Sequence, residues 1–393
     1  MEGNTIRIGI TQGDSNGVGY EVILKTLSDE RITELCTPVI YGSLKSLHDH
    51  RQRIPGLSSF PFKEIRKAEA IETGVINFIP CSGGEVAFTP GQGSEESGLA
   101  AYHALEAVVR DLKGGHLHAL LTAPIDKDSI QNEDFHFPGH TEYLEHHFGV
   151  PGQHALMILM NDQLRVALVT GHVALSEVPG LLSKESIVTR LVDFDRSLRQ
   201  DFCVIRPRIA VLALNPHGGD GGLIGTEEKR ILRPAIEKAT QEGLLAFGPY
   251  PADGFFGSRG FTRFDGVLAM YHDQGLIPFK SLVMKNGVNY TGGLSIIRTS
   301  PAHGTAYDIA GQGIASPDSF RQALFTAIDA CRQRAAFQEA SSNPLVKPAG
   351  PRFERSNKGR SKTIKLKNSD PDIESDSELS GESFGESDTS ELS

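Results

Sequence analysis

Three short apolar runs in this chain each end at a histidine, and this recurrence restricts the fold more than any other feature. Val166–Thr170 leads into Gly171-His172. Ile209–Leu214 leads into Asn215-Pro216-His217-Gly218-Gly219. Val267–Tyr271 leads into His272-Asp273-Gln274-Gly275. Short apolar runs bounded by turn residues read as buried strands. One histidine after a strand is more often a hydrogen-bonded polar residue than a ligand. Three in the same context, if their strands share a sheet, bring three imidazoles to one place. Three His with open positions make a catalytic type of divalent site, usually zinc. After the third run, Pro278 argues against an easy helix, and Lys280 follows within reach.

The rest of the chain supports a sheet of that kind. Ile6–Ile10, Pro38–Gly42, Ile76–Ile79 and Leu117–Leu121 read as strands. Tyr20–Leu27, Gly98–Lys113, Ser183–Arg199 and Ser319–Gln338 carry apolar residues at helical spacing. Strands alternating with helices predict an α/β fold with a largely parallel sheet. The first loop, Thr11-Gln-Gly-Asp-Ser-Asn-Gly-Val-Gly19, matches neither GxGxxG nor GxxxxGK[ST], so the common phosphate-loop motifs are absent. Gly218–Gly222 reads as a mobile loop, and Gly248–Phe256 as a loop carrying Asp253. Asn289 and Arg298 bracket a further short strand.

Several of these residues suit an anionic ligand. His140 and Thr141 open a helix running to about Phe148, and a helix N-terminus presents backbone N–H groups and a positive dipole end. Lys280, Arg298 and Asn289 add donors, so the five together can hold a group such as phosphate. A phosphate site beside a three-His metal predicts a small phosphorylated substrate with a metal-binding hydroxyl.

Net charge is −10 over 393 residues, but nine of the acids fall in residues 368–393, which hold no Lys or Arg. Without that tail the chain has 40 acids against 39 bases. The body therefore offers no basic field for nucleic acid. Residues 341–393, basic then acidic and Ser-rich, are expected to be disordered. Cys36, Cys81, Cys203 and Cys331 are scattered without a CxxC and are expected to be buried free thiols. No signal peptide precedes the first strand and no apolar run is long enough for a membrane span, so a cytoplasmic protein is expected.

The ordered segments Thr122-Ala-Pro, Gly139-His-Thr-Glu, Thr170-Gly-His, Leu214-Asn-Pro-His-Gly-Gly, Gly225-Thr-Glu-Glu, Pro251-Ala-Asp, Ala269-Met-Tyr-His-Asp-Gln-Gly, Gly287-Val-Asn and Ile297-Arg-Thr-Ser carry a resemblance. Together they resemble the 4-hydroxythreonine-4-phosphate dehydrogenases of bacterial vitamin B6 synthesis, over roughly residues 5–335. The resemblance implies a divalent metal held by His172, His217 and His272, with zinc expected first and Mg or Co as alternatives. It implies substrate contacts from His140, Thr141, Lys280, Asn289 and Arg298, with Asp253 close by. Asp253, Asp273 and Lys280 are candidates for the general base.

The resemblance further implies NAD, with NADP as the alternative, and a homodimer whose active site takes groups from both subunits. It implies the two-domain fold of isocitrate and isopropylmalate dehydrogenases, with the active site in the cleft. Residues 1–125 with 305–340 would form one domain and 126–304 the other. The implied reaction oxidises 4-phosphohydroxy-L-threonine to 2-amino-3-oxo-4-phosphohydroxybutanoate, which decarboxylates to 3-amino-2-oxopropyl phosphate, in pyridoxal phosphate synthesis. Two alternatives stay open: a dehydrogenase of 4-phospho-D-threonate or 4-phospho-D-erythronate, and a metal-dependent hydrolase or aldolase. Asp126, where some members carry His or Asn, and Ser15-Asn16, in place of a common Pro-Ala, depart from the family pattern.

Overall fold

In a computed structural model the described residues are 5–57, 59–81, 86, 88–283 and 285–343. The expected disordered tail lies outside them from residue 344 onward, and residues 341 and 342 belong to the last helix.

The described strands form one twelve-stranded sheet. In chain order they are β1 (Arg7–Thr11), β2 (Thr37–Gly42), β3 (Lys63–Glu64), β4 (Asn77–Pro80), β5 (Ala119–Thr122) and β6 (Leu156–Met160). Then come β7 (Arg165–Leu168), β8 (Arg208–Leu212), β9 (Leu245–Tyr250), β10 (Gly266–Ala269), β11 (Val288–Gly292) and β12 (Ile297–Pro301). Their spatial order is β3-β4-β2-β1-β5-β12-β11-β6-β7-β10-β8-β9. All pairs are parallel except β12–β11, β11–β6 and β6–β7. The expected α/β class with a largely parallel sheet is therefore what forms. Three antiparallel steps leave the β1–β5–β12 half and the β7–β10–β8 half running in opposite directions.

Fully buried strand residues such as Ile8, Ile10, Val39, Ile40, Leu120, Leu121, Ile209 and Val211 explain the continuous apolar runs. A parallel sheet is covered on both faces, so its strands need not alternate. The helices Glu95–Lys113 and Lys184–Gln200 start at Ser94 and Ser183, and each of these serines forms a capping box with a serine three residues on.

Four local readings need correction. Residues 272–282 are helical with Pro278 inside, although proline removes the N–H that would bond the Gln274 carbonyl. Asn289 and Arg298 do not bracket one strand but lie on the paired strands β11 and β12. Asp253 lies on a short helix, Ala252–Gly257, rather than on a loop. Cys36 is buried, but Cys203 is exposed.

Candidate active site

The site is built on one face of the central strands. Asn289 pairs with Ser300 and with Leu159, and Thr291 pairs with Arg298 and with Met157. Strand side chains alternate between faces, so these residues share a face. Arg298, Asn289, Ser300, Met157 and Leu159 all line one cavity of about 240 Å³. Thr122 at the end of β5, with Ala123, Pro124, Ile125 and Lys127 just past it, also lines the cavity, as do His140, His172, His272, Leu276, Lys280 and Pro301–Gly304.

Arg298 dominates the electrostatics. It is 3% exposed. Its Nη1 donates to Thr291 Oγ1 at 3.1 Å and its Nη2 to Thr122 Oγ1 at 2.7 Å. Its Nε has no partner among the described residues, and neither does Asn289 Oδ1. No described carboxylate forms an ion pair with it; burial brings the guanidinium down to about 10, opposed by the charge of Glu142. A buried charge is normally paired and hydrogen-bonded. A buried guanidinium held only by hydroxyls, on a residue that lines a cavity, is arranged for an anion supplied from outside.

His140 is the first residue of the helix His140–Phe148, whose N-cap Gly139 provides no side-chain cap. The open N–H groups there add to the anion site. Burial, then the charges of Arg298 and Lys127, hold His140 well below the usual histidine range, so its ring is neutral. Thr141 lies in the same first turn but is not among the residues lining the cavity.

The expected metal ligands are brought together in part. β7 and β10 are neighbours, and Thr170 Oγ1 donates to the Met270 carbonyl at 2.8 Å, tying their ends together. The His172 and His272 rings are consequently 5.5 Å apart between centroids. Burial, with Lys127 and His272 adding to it, lowers His172 and favours the neutral, ligating form. Asp273 Oδ1 lies 2.7 Å from His272 Nδ1. A carboxylate on one ring nitrogen orients the other toward a ligand.

His217 follows β8, which neighbours β10, but stands in a left-handed stretch from His217 to Gly221 and does not line the cavity. Glu228 anchors that stretch, accepting the N–H groups of Leu214 and Asn215 at 2.9 and 2.7 Å. Among the described residues no three His, Cys, Asp or Glu groups are clustered closely enough to hold a metal ion. His172 and His272 are the two imidazole donors that the cavity lining offers to such an ion.

Other motif residues prove to be supports. Gln274 accepts the Met270 N–H at 2.8 Å and donates to the Ala213 carbonyl at 2.6 Å, stapling the ends of β10 and β8. A Cβ on Gly275 would meet Val166 Cγ1 at 2.8 Å, so only glycine lets this helix lie on β7. Of the three base candidates, Lys280 lines the cavity, Asp273 is bound to His272, and Asp253 is exposed outside it. Sequence reasoning did not single out Lys127, Ser300 or His303. The Thr122-Ala-Pro segment was a signal for Lys127, since it continues into that residue.

A family model described as pyridoxal phosphate biosynthetic protein PdxA matches residues 34–327. A 4-hydroxythreonine-4-phosphate dehydrogenase of Bacteroides thetaiotaomicron is 52% identical over 347 residues, covering 88% of this chain and 94% of that one. A relative of the same name from Sulfurihydrogenibium is 38% identical, covering 82% of this chain and 98% of its own. Among solved structures, a 4-hydroxythreonine-4-phosphate dehydrogenase from Klebsiella pneumoniae is 33% identical with a TM-score of 0.72. That match covers 84% of this chain and 99% of the other. A terephthalate 1,2-cis-dihydrodiol dehydrogenase from Burkholderia xenovorans shares the fold at 22% identity and a TM-score of 0.55. With the family model spanning most of its length and relatives this similar, the chain belongs to the PdxA family of pyridoxal phosphate biosynthetic proteins.

Proposed function

We propose that the chain is a 4-hydroxythreonine-4-phosphate dehydrogenase. It oxidises the C3 hydroxyl of 4-phosphohydroxy-L-threonine with NAD, and the resulting 2-amino-3-oxo acid loses carbon dioxide to leave 3-amino-2-oxopropyl phosphate. The observation that carries this reading is the buried, carboxylate-free Arg298 beside the His172–His272 pair. Phosphate on a short chain and a hydroxyl one carbon away match an anion site next to a metal site. The relatives' shared name supplies the substrate.

The chain's own residues do the following. Arg298 and Lys280 hold the phosphate, with the open helix end at His140 and Thr141 adding N–H donors. His140, kept neutral, offers a hydrogen bond without competing for the anion's charge. Asn289, which lines the cavity, contacts the substrate. His172 and His272 would hold the ion, Asp273 would orient His272, and His217 would complete the set. When bound, a divalent ion supplies Lewis acidity toward the hydroxyl and NAD supplies the hydride acceptor. Zinc is the expected ion, and the enzyme works in the cytoplasm as a homodimer whose sites take groups from both subunits. In this reading residues 1–125 with 305–340 make one lobe and 126–304 the other, with the site in the cleft between them. Among the described residues no helix is long and apolar enough to cross a membrane.

The test is NADH formation from 4-phosphohydroxy-L-threonine by metal-stripped protein, with and without added Zn, Mg or Co. NADH should form only with metal present. Preferential turnover of 4-phospho-D-threonate or 4-phospho-D-erythronate would move the substrate to a hydroxy acid. No NADH from any phosphorylated four-carbon acid would favour a hydrolase or aldolase. Metal analysis of His217→Ala should show substantial loss of the ion, and full occupancy would remove that residue from the ligand set.

A further inference from the structure

We propose that Lys127 binds the carboxylate of the substrate, so that the cavity reads both charged ends of a short molecule; this rests on the function proposed above. Lys127 lines the cavity together with Ala123, Pro124 and Ile125, the residues that lead out of β5. Its position is built rather than incidental. Asp126 Oδ1 accepts the N–H groups of Asp128 and Ser129 at 3.0 and 2.8 Å, closing a turn around the lysine. Ser129 Oγ donates to buried Asp14 at 3.2 Å, which fixes that turn to the first loop. On its other side the lysine's Cε lies 3.8 Å from where a Gly139 Cβ would stand, so its stem runs beside the helix end that carries His140. Asp and Asn close such turns equally well, so Asp126 is a positioning residue for Lys127.

The ammonium group has no carboxylate ion-pair partner among the described residues. Its charge acts on both His140 and His172. The remaining argument is charge matching. The cationic side chains lining the cavity are Lys127, Lys280 and Arg298. A phosphate dianion takes Arg298 and Lys280. The carboxylate at the other end of the four-carbon chain then has one cation left, and Lys127 lines the same cavity. A site that leaves this carboxylate without a partner would not distinguish the substrate from a plain alkyl phosphate.

Calorimetric binding of two probes separates the charged ends: 4-phosphohydroxy-L-threonine, and ethanolamine phosphate, which lacks both the carboxylate and the hydroxyl-bearing carbon and so reports on the phosphate end alone. Lys127→Met should weaken the four-carbon substrate by at least about tenfold. It should leave ethanolamine phosphate within about twofold of the wild type, the range of a change that touches no contact. Lys127→Arg, which keeps the charge, should recover most of the loss. Unchanged substrate affinity in Lys127→Met would overturn the proposal. So would an equal loss for both probes, which would assign the lysine to the phosphate. Lys127→Gln and thermal unfolding of each variant guard against a folding defect. If the wild type itself neither binds nor oxidises the substrate, the proposed function fails; if only the lysine variants behave normally, this inference alone fails.

Discussion

Arg298 and Arg334 are both buried against the β11–β12 hairpin, on opposite faces, and they are treated in opposite ways. Arg334 projects from the helix Asp318–Ser342 toward Tyr290. Its Nε donates to Asp201 Oδ1 at 2.7 Å, its Nη1 to the Leu294 and Ser295 carbonyls at 3.3 and 3.2 Å, and its Nη2 to Tyr290 at 3.2 Å. Burial works against its charge, but Tyr290 and Asp201 outweigh burial and hold it above the ordinary arginine value. Arg298 has two hydroxyl partners, no carboxylate, and a guanidinium pushed down to about 10. One arginine is finished by the fold. The other is left for a ligand to finish. The lesson is that burial of a charge does not mark a site; burial without a counter-charge does.

Cavity size teaches the same thing. The described residues enclose a larger cavity, about 640 Å³, lined by Leu27, Phe60, Phe62 and Ile76. Of its charged residues, Lys63 and Glu72 pair with one another and Glu30 is exposed. It leaves no unanswered charge of the Arg298 kind.

The comparison can be broken most severely at Arg334. Arg334→Met leaves Asp201, which is 0% exposed, as a buried carboxylate without its partner. Loss of one member of a buried pair costs about 3–5 kcal/mol. Urea unfolding should show a fall of that order, and an unchanged midpoint would mean the two arginines do not differ as argued.

Arg298→Met should show the reverse pattern. Removing a charge from a desolvated anion site costs about 2–5 kcal/mol in transition-state binding, roughly 30- to 4000-fold in kcat/KM. Its unfolding free energy should hold steady or rise, because the charge it removes is uncompensated. A large stability loss with near-normal kcat/KM would turn Arg298 into a second Arg334.

A third basic side chain sharpens the contrast by carrying no charge. His50 is 1% exposed, with Nε2 2.7 Å from the Ser15 carbonyl. Burial first, with Arg53 adding to it, lowers its pKa from 6.5 to about 4. The unfolded chain then binds a proton near pH 6.5 that the folded chain refuses until about pH 4. Stability therefore falls as pH drops through that window, by up to about 3 kcal/mol at about 1.4 kcal/mol per pH unit. His50→Gln should give a shallower fall of unfolding free energy between pH 6.5 and 4 than the wild type, and parallel curves would refute the assignment.

The smallest effect is expected at Asp253, an exposed carboxylate outside the cavity wall. Asp253→Asn should keep kcat/KM within about twofold, the range of a surface change that touches no partner. A fall of several orders would restore it as the general base.

How much of this was legible in the sequence varies by residue. Buried strands announce themselves because an apolar run between turn residues has few other uses. β7, β8 and β10 could be read that way, and with them the strand ends that carry His172, His217 and His272. The reversal of strand direction at β11 was not legible, because pairing is decided between segments far apart in the chain. Nor was the helix through Pro278, since tertiary packing outweighs a local preference. Arg298 could be named as a cation from the sequence. That it lacks a carboxylate while Arg334 has one depends on what other strands and helices bring beside it. Lys127 carries the same lesson: its residue type was in plain view, but its place on the cavity beside the helix end at Gly139 depends on the turn at Asp126. Local chemistry is written in the order of residues. Which charges meet, and which are left unmet, is decided only when the sheet closes.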